Sequence, residues 1–147
     1  MTRLRIRALL LLLTTCLLSA AACGGGGTSY AGIVVEPFRD VSALTLPDAT
    51  AGGAPLSFAA EPGGLRLVYF GYTACPDVCP TTLADIRTAL DGLDATQRAH
   101  ISLVMTTIDP ARDRPDVIAK YVTAFVSGAH AAQTDDAAAL RAVADRF

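Results

Sequence analysis

The stretch that most constrains this chain is Leu67-Val-Tyr-Phe-Gly-Tyr-Thr-Ala-Cys-Pro-Asp-Val-Cys-Pro-Thr-Thr82. Its first half is a nearly all-apolar run closed by a turn, the pattern of a strand buried on both faces. Leu83, Ile86, Leu90 and Leu93 then recur at helical spacing, so a helix follows the strand directly. Cys75 and Cys79 fall at the junction, and at i and i+4 they are expected to share one face of the opening turns. The free N–H groups and positive end of that helix favour thiolate over thiol. A redox pair or a metal-binding pair needs that bias.

The N-terminus reads as a targeting segment. Arg3, Arg5 and Arg7 lead into an apolar run, Ala8 to Leu18, too short to span a bilayer comfortably, followed by Ser19-Ala-Ala-Ala-Cys23. A small residue before a cysteine at this point resembles a bacterial lipoprotein processing site. Residues 1–22 are therefore read as a lipoprotein signal peptide and Cys23 as the lipidated residue. Residues 23–39, with their glycine run, form a tether, and 40–147 the folded domain. An ordinary secretory signal cleaved after Ala22 and an uncleaved anchor are the alternatives. Cys16 would leave with the signal, so Cys75 and Cys79 are the only thiols of the mature domain. The expected location is the outer face of the cell membrane, where disulfides persist. A net charge of −2 without a basic run beyond the first residues gives nucleic-acid binding no support.

Ile33 to Val35 and Leu44 to Leu46 read as short strands, and Pro55 to Phe58 completes an N-terminal hairpin. Leu65 to Phe70 and Ile101 to Ile108 are the stronger strands, with a helix over Asp77 to Leu93 between them. Pro76 and Pro80 fall in the opening turns of that helix, where a missing N–H does least harm. Asp113 suits the N-cap of a second helix carrying Val117, Ile118, Tyr121, Val122 and Phe125 on its apolar stripe, with Gly128 ending it. A last helical pattern starts near Asp135 or Asp136 and carries Leu140, Val143 and Phe147.

Strand, helix, strand, helix in this order implies right-handed crossovers and a mostly parallel sheet with flanking helices. A cysteine pair at the first strand–helix junction narrows this α/β class to a thioredoxin-like fold. Three residues separate the cysteines, a spacing suited to chelating one soft ion as well as to closing a disulfide.

Three motifs in order resemble the Sco/SenC family: Tyr69 to Leu83 with its CPDVC core, Thr107-Ile-Asp-Pro-Ala-Arg-Asp-Arg-Pro115, and Lys120 to Phe125. The resemblance covers about residues 40 to 147. It implies a membrane-anchored, thioredoxin-like copper protein that assembles the copper centre of cytochrome c oxidase. It implies Cys75 and Cys79 as thiolate ligands of Cu(I), with capacity for Cu(II), that also form a redox-active disulfide. The expected partner is cytochrome c oxidase subunit II or its copper-assembly factors. The Asp109–Asp113 loop is expected beside the pair.

Family members carry a third copper ligand, a histidine on a hairpin well beyond the second helix. Neither His100, just before a strand, nor His130, assigned to the loop after the second helix, matches it, and both read as surface residues. The helical pattern runs into Phe147 without a stop signal, so the expectation is a member lacking its C-terminal part, with a two-strand sheet remnant of marginal stability. A structural disulfide is disfavoured, because so small a loop constrains little chain entropy. A zinc site would need two further ligands, and only Asp77 is local. Asp77 reads as a first-turn acid and Asp109 as a turn residue, with a site-adjacent role the alternative for Asp109 and Asp113; Tyr69 and Tyr72 flank the site, Tyr69 as core. Two functions remain: a copper metallochaperone, and a thiol–disulfide oxidoreductase acting on partner cysteines.

Overall fold

The computed structural model describes residues 32–147. The segment read as a signal peptide, Cys16, Cys23 and the glycine run lie outside the described residues. Ile33 to Val35 form no strand; their exposed side chains have no partner strand to order them. The ordered elements are β1 (Thr45–Asp48), β2 (Ala54–Ser57), β3 (Leu65–Gly71), α1 (Val78–Asp91), α2 (Ala95–Ala99), β4 (Ile101–Thr107), α3 (Pro115–Phe125), β5 (His130–Ala132) and α4 (Ala137–Ala144). Among the described residues, no helix is long and apolar enough to cross a membrane.

The five strands make one mixed sheet in the order β2-β1-β5-β4-β3. β3, β4 and β5 run parallel, with Leu65 opposite Ile101 and Val104 opposite His130. β1 is antiparallel to both β2 and β5. The expected two-strand remnant is thus replaced by a five-stranded sheet. The hairpin and a strand hidden in an alanine-rich segment extend the ladder beyond β4. His130 belongs to that strand, not to a loop, because pairing with β4 extends the backbone there.

Successive side chains of a strand point to opposite faces, and here both faces are covered. Leu103, Met105 and Ala131 join Leu83 and Leu90 of α1 and Ile118 and Val122 of α3 in one cluster. On the other face Val104 and Ala132 pack with Leu46, Leu56, Phe58 and Val143 of α4. That explains why the last five residues of β4, Thr106 and Thr107 included, are all buried. β3 departs from the expectation of full burial on both faces. It sits at the sheet edge, and most of its residues are only half-buried. Phe147 stacks on Phe58 and Phe70, each at 5.8 Å between ring centroids.

The helix ends follow local chemistry. Asp136 accepts from the N–H groups of Ala138 and Ala139 and so starts α4 as expected. Asp94 and Gln97 form a reciprocal capping box on α2, an element the sequence reading overlooked. α3 begins with Pro115 at its first position, and its N-cap is Arg114. Asp113 is therefore not the cap; it turns inward, to the site below. α3 ends at Phe125, and Gly128 (φ 75°) belongs to the following turn.

Candidate metal-binding and redox site

The site forms where β3 delivers the chain into α1. After Gly71 the segment turns at Tyr72, whose carbonyl accepts from the Cys75 N–H at 3.3 Å. α1 begins only at Val78, so Cys75 lies in the preceding loop and Cys79 at the second helical position. The two do not share a helical face. Instead they meet through a hydrogen bond: the Cys79 N–H donates to Cys75 Sγ at 3.3 Å. Asp77, the formal N-cap, makes no side-chain capping bond. The Cys75 sulfur takes that role, accepting from one of the otherwise unpaired N–H groups of the first turn.

That placement has an electrostatic consequence. Cys75 is half-exposed and Cys79 is 5% exposed; both are free thiols. Hydrogen bonding from the Cys79 side chain, aided by the backbone N–H groups of Cys79 and Asp77, pulls the Cys75 thiol from 9.0 down to about 7. The lowered thiol predicts that alkylation of Cys75 by iodoacetamide rises through pH about 7 instead of 9. In a Cys79→Ala variant, which removes the side-chain donor, that midpoint should move upward. A midpoint that stays at 9 in the native pair would contradict the assignment.

Two phenols close the surroundings. Burial, with hydrogen bonding to Cys79, pushes Tyr69 up to about 12, so it stays protonated beside the sulfur. Tyr69 thus flanks the site and also packs against the core, as the sequence suggested. Tyr121 of α3 is also raised, by burial first and then by the two sulfurs and Asp113. Its hydroxyl is buried without a hydrogen-bond partner. Gly71 makes the close approach possible. A Cβ there would lie 2.8 Å from the Tyr69 ring and 3.3 Å from Cys79 Sγ. Gly71→Ala should displace the ring or the sulfur and cost about 1–3 kcal/mol of overpacking strain. The expected readout is weaker metal binding with unchanged far-ultraviolet circular dichroism; unaltered affinity would refute it.

The loop carrying Cys75 is held from behind by Asp113, which is fully buried. Its carboxylate accepts from the Thr73 N–H at 3.0 Å, from the Thr73 hydroxyl and from the Thr107 hydroxyl at 2.7 Å. The β4–α3 loop is thereby tied to the β3–α1 loop at one end of the sheet. Asp109 is the turn residue the sequence suggested, pairing with Arg112 at 2.5 Å. Thr73 and Thr107 were not singled out from the sequence, and no local signal marks them. His100 is exposed at the opposite end of the sheet, and His130 hydrogen-bonds Asp48. Among the described residues, no group of three or more His, Cys, Asp or Glu is placed to hold a metal. The sulfur pair is the soft-ligand set that remains.

A mixed sheet with a parallel β3–β4–β5 core, helices on both faces and two thiols at the β3–α1 junction defines a thioredoxin-like, thiol-based protein. Comparison with known proteins makes that more specific. The SCO1/SenC family profile matches residues 49–147, and the chain belongs to this family. A SCO2-like protein of Rickettsia prowazekii is 43% identical over 63 residues, covering 43% of this chain and 30% of the relative. The mitochondrial SCO1 homologue of Homo sapiens is 42% identical over 64 residues, covering 43% of this chain and 21% of the relative. The chain thus spans about a third or less of the length of these curated relatives. Among solved structures, apo Sco1 of Thermus thermophilus superimposes with a TM-score of 0.70 at 28% identity, over 84% of this chain and 69% of that one. Copper-bound ScoI of Bradyrhizobium japonicum gives 0.58 at 26% identity, over 71% and 64%.

Proposed function

We propose that this chain is a membrane-anchored, extracytoplasmic copper carrier whose Cys75 and Cys79 thiolates hold the ion for delivery to the copper centre of cytochrome c oxidase. The observation that carries the reading is the sulfur pair itself. A thiol lowered to about 7 and a buried second thiol meet at one helix N-terminus, in a family whose solved members include copper-bound forms. Two soft thiolates suit Cu(I) as cargo. Delivery to cytochrome c oxidase subunit II is what the family resemblance implies. The test is titration of the reduced chain with Cu(I) against a chromophoric chelator. One equivalent retained per chain supports the reading, and none retained overturns it.

A second reading rests on the inequality of the two sulfurs. The exposed Cys75 thiolate would attack a target disulfide, forming a mixed disulfide and releasing one target thiolate. Buried Cys79 would then lose its proton and attack Cys75 Sγ, closing a Cys75–Cys79 disulfide and releasing the second target thiolate. Two electrons pass to the target. This reading predicts a trapped mixed disulfide when Cys79 is replaced by serine. Failure to trap one with any disulfide substrate argues for copper carriage alone.

The membrane anchor rests on the processing pattern around Cys23. Mature protein should partition with membranes, and Cys23→Ser should release it or block its processing. Unchanged partitioning and size would remove the lipid anchor from the proposal.

A further inference from the structure

A cavity of about 540 Å³ lies far from the cysteine pair. Leu65 and Ile101, which open β3 and β4, line it, whereas the cysteines follow the closing ends of the same parallel strands. Its remaining wall comes from β2, from the connection between β2 and β3, and from His100 at the end of α2. The volume is ample for a small molecule.

Three polar side chains reach it from one sheet face. Arg66 and Ser102 are register partners on β3 and β4, and His130 of β5 is the partner of Val104, two residues further along β4. The half-buried Arg66 donates Nε–H to the Ser102 hydroxyl at 3.2 Å and Nη1–H to the Ser57 carbonyl. Its Nη2 has no hydrogen-bond partner among the described residues. The ion pairs found among them are Arg112–Asp109, Arg114–Asp116, His130–Asp48 and Arg141–Asp145, and none involves Arg66. A half-buried cation held by neutral acceptors alone keeps an uncompensated charge in a region of reduced dielectric. Such a charge attracts an anion.

His130 is fixed in a way that completes the cradle. Its Nδ1 lies 2.7 Å from Asp48, which is 3% exposed and also accepts from Thr50 and from the Ala131 N–H. The carboxylate holds the ring through Nδ1, and Nε2, which has no other partner among the described residues, donates to an anion in the imidazolium form. Glu61 is the acid on the wall, and it is exposed to solvent screening.

We propose that this cavity is a second binding site, independent of the cysteines, for a small molecule bearing an oxyanion. The carboxylate or phosphate sits between the Arg66 guanidinium and the His130 imidazole, and an apolar body rests on Leu56, Pro62 and Ile101. The test is a titration of the isotopically labelled chain by nuclear magnetic resonance with butanoate, inorganic phosphate and neutral butan-1-ol. Saturable shifts are expected at Arg66, Ser102 and His130 with an anion and not with the alcohol. Saturation by butanoate alone identifies an organic acid, and saturation by phosphate alone a phosphate group. Arg66→Gln or His130→Gln should weaken binding about tenfold or more, the loss of one charge-assisted hydrogen bond, and Arg66→Lys should recover part of it. The spectrum of each variant also reports whether it has folded. No saturation with either anion, equal shifts with butan-1-ol, or undiminished binding in both charge-removing variants that fold overturns the proposal.

Discussion

Serine in place of either site cysteine should abolish copper retention. A serine hydroxyl is a hard donor and stays protonated near neutral pH, so it does not replace a thiolate for a soft ion. Substitutions in the outer shell of a metal site typically cost 10–100-fold in affinity, and removal of a ligand should cost more than about 100-fold. The two variants are not equivalent in the rest of the molecule. Cys75→Ser places a hydroxyl where the sulfur accepts from the Cys79 N–H, and serine is a favoured N-terminal capping residue. Its stability should stay close to that of the native chain. Cys79 is 5% exposed, so a hydroxyl there loses part of its hydration and should cost about 1–2 kcal/mol. Chelator competition on reduced protein reads the affinity and thermal melting reads the fold. One retained equivalent of copper in Cys75→Ser would remove Cys75 from the ligand set, whatever the melt shows.

The sequence made the strong elements readable because they are long and their patterns local. β3 into α1 is an apolar run followed directly by apolar residues at helical spacing, and β4 is rich in β-branched residues. Both stand where expected, as does α4 behind Asp136. The family and its thioredoxin-like architecture followed from the motifs on those elements. β5 escaped because it has three residues, two of them alanine, and its extended backbone comes from pairing with β4 on one side and β1 on the other. With it escaped the true extent of the sheet and the location of His130. α2 carried a readable signal, Asp94 followed three residues later by Gln97, in a segment too short for an apolar stripe to show. The cysteine pair of the proposed site stood out in the sequence, and its geometry did not. The i,i+4 spacing implies a shared helical face only if the helix starts before Cys75, and it starts at Val78.

Asp113 is where the sequence pointed to the wrong role, and the difference can be measured. An aspartate just before Arg-Pro at a helix start is a sound cap on local grounds. Here two hydroxyls and one N–H compete for the carboxylate, from Thr107 six residues away and Thr73 forty residues away. The non-local network wins, because a buried carboxylate needs several donors to offset its lost hydration. Asp113→Ala should therefore leave the Thr73 N–H and the Thr107 hydroxyl without their acceptor. At about 1–3 kcal/mol for a buried unsatisfied group, the combined cost is about 3 kcal/mol. That is a large part of the 5–15 kcal/mol available to a domain, and for a domain near 100 residues it lowers Tm by more than about 10 °C. Asp113→Ser separates the two roles. Serine caps helices well, so a capping role predicts a near-native Tm. The shorter hydroxyl cannot bind all three donors, so the buried network predicts a Tm close to that of Asp113→Ala. Because Thr73 lies two residues before Cys75, both variants should also loosen the loop that holds its sulfur. Copper affinity at a temperature where the protein is still folded should then fall by about tenfold or more, within the range of outer-shell defects. A near-native Tm for Asp113→Ser would return Asp113 to the helix cap and leave the Cys75 loop held by its own turn.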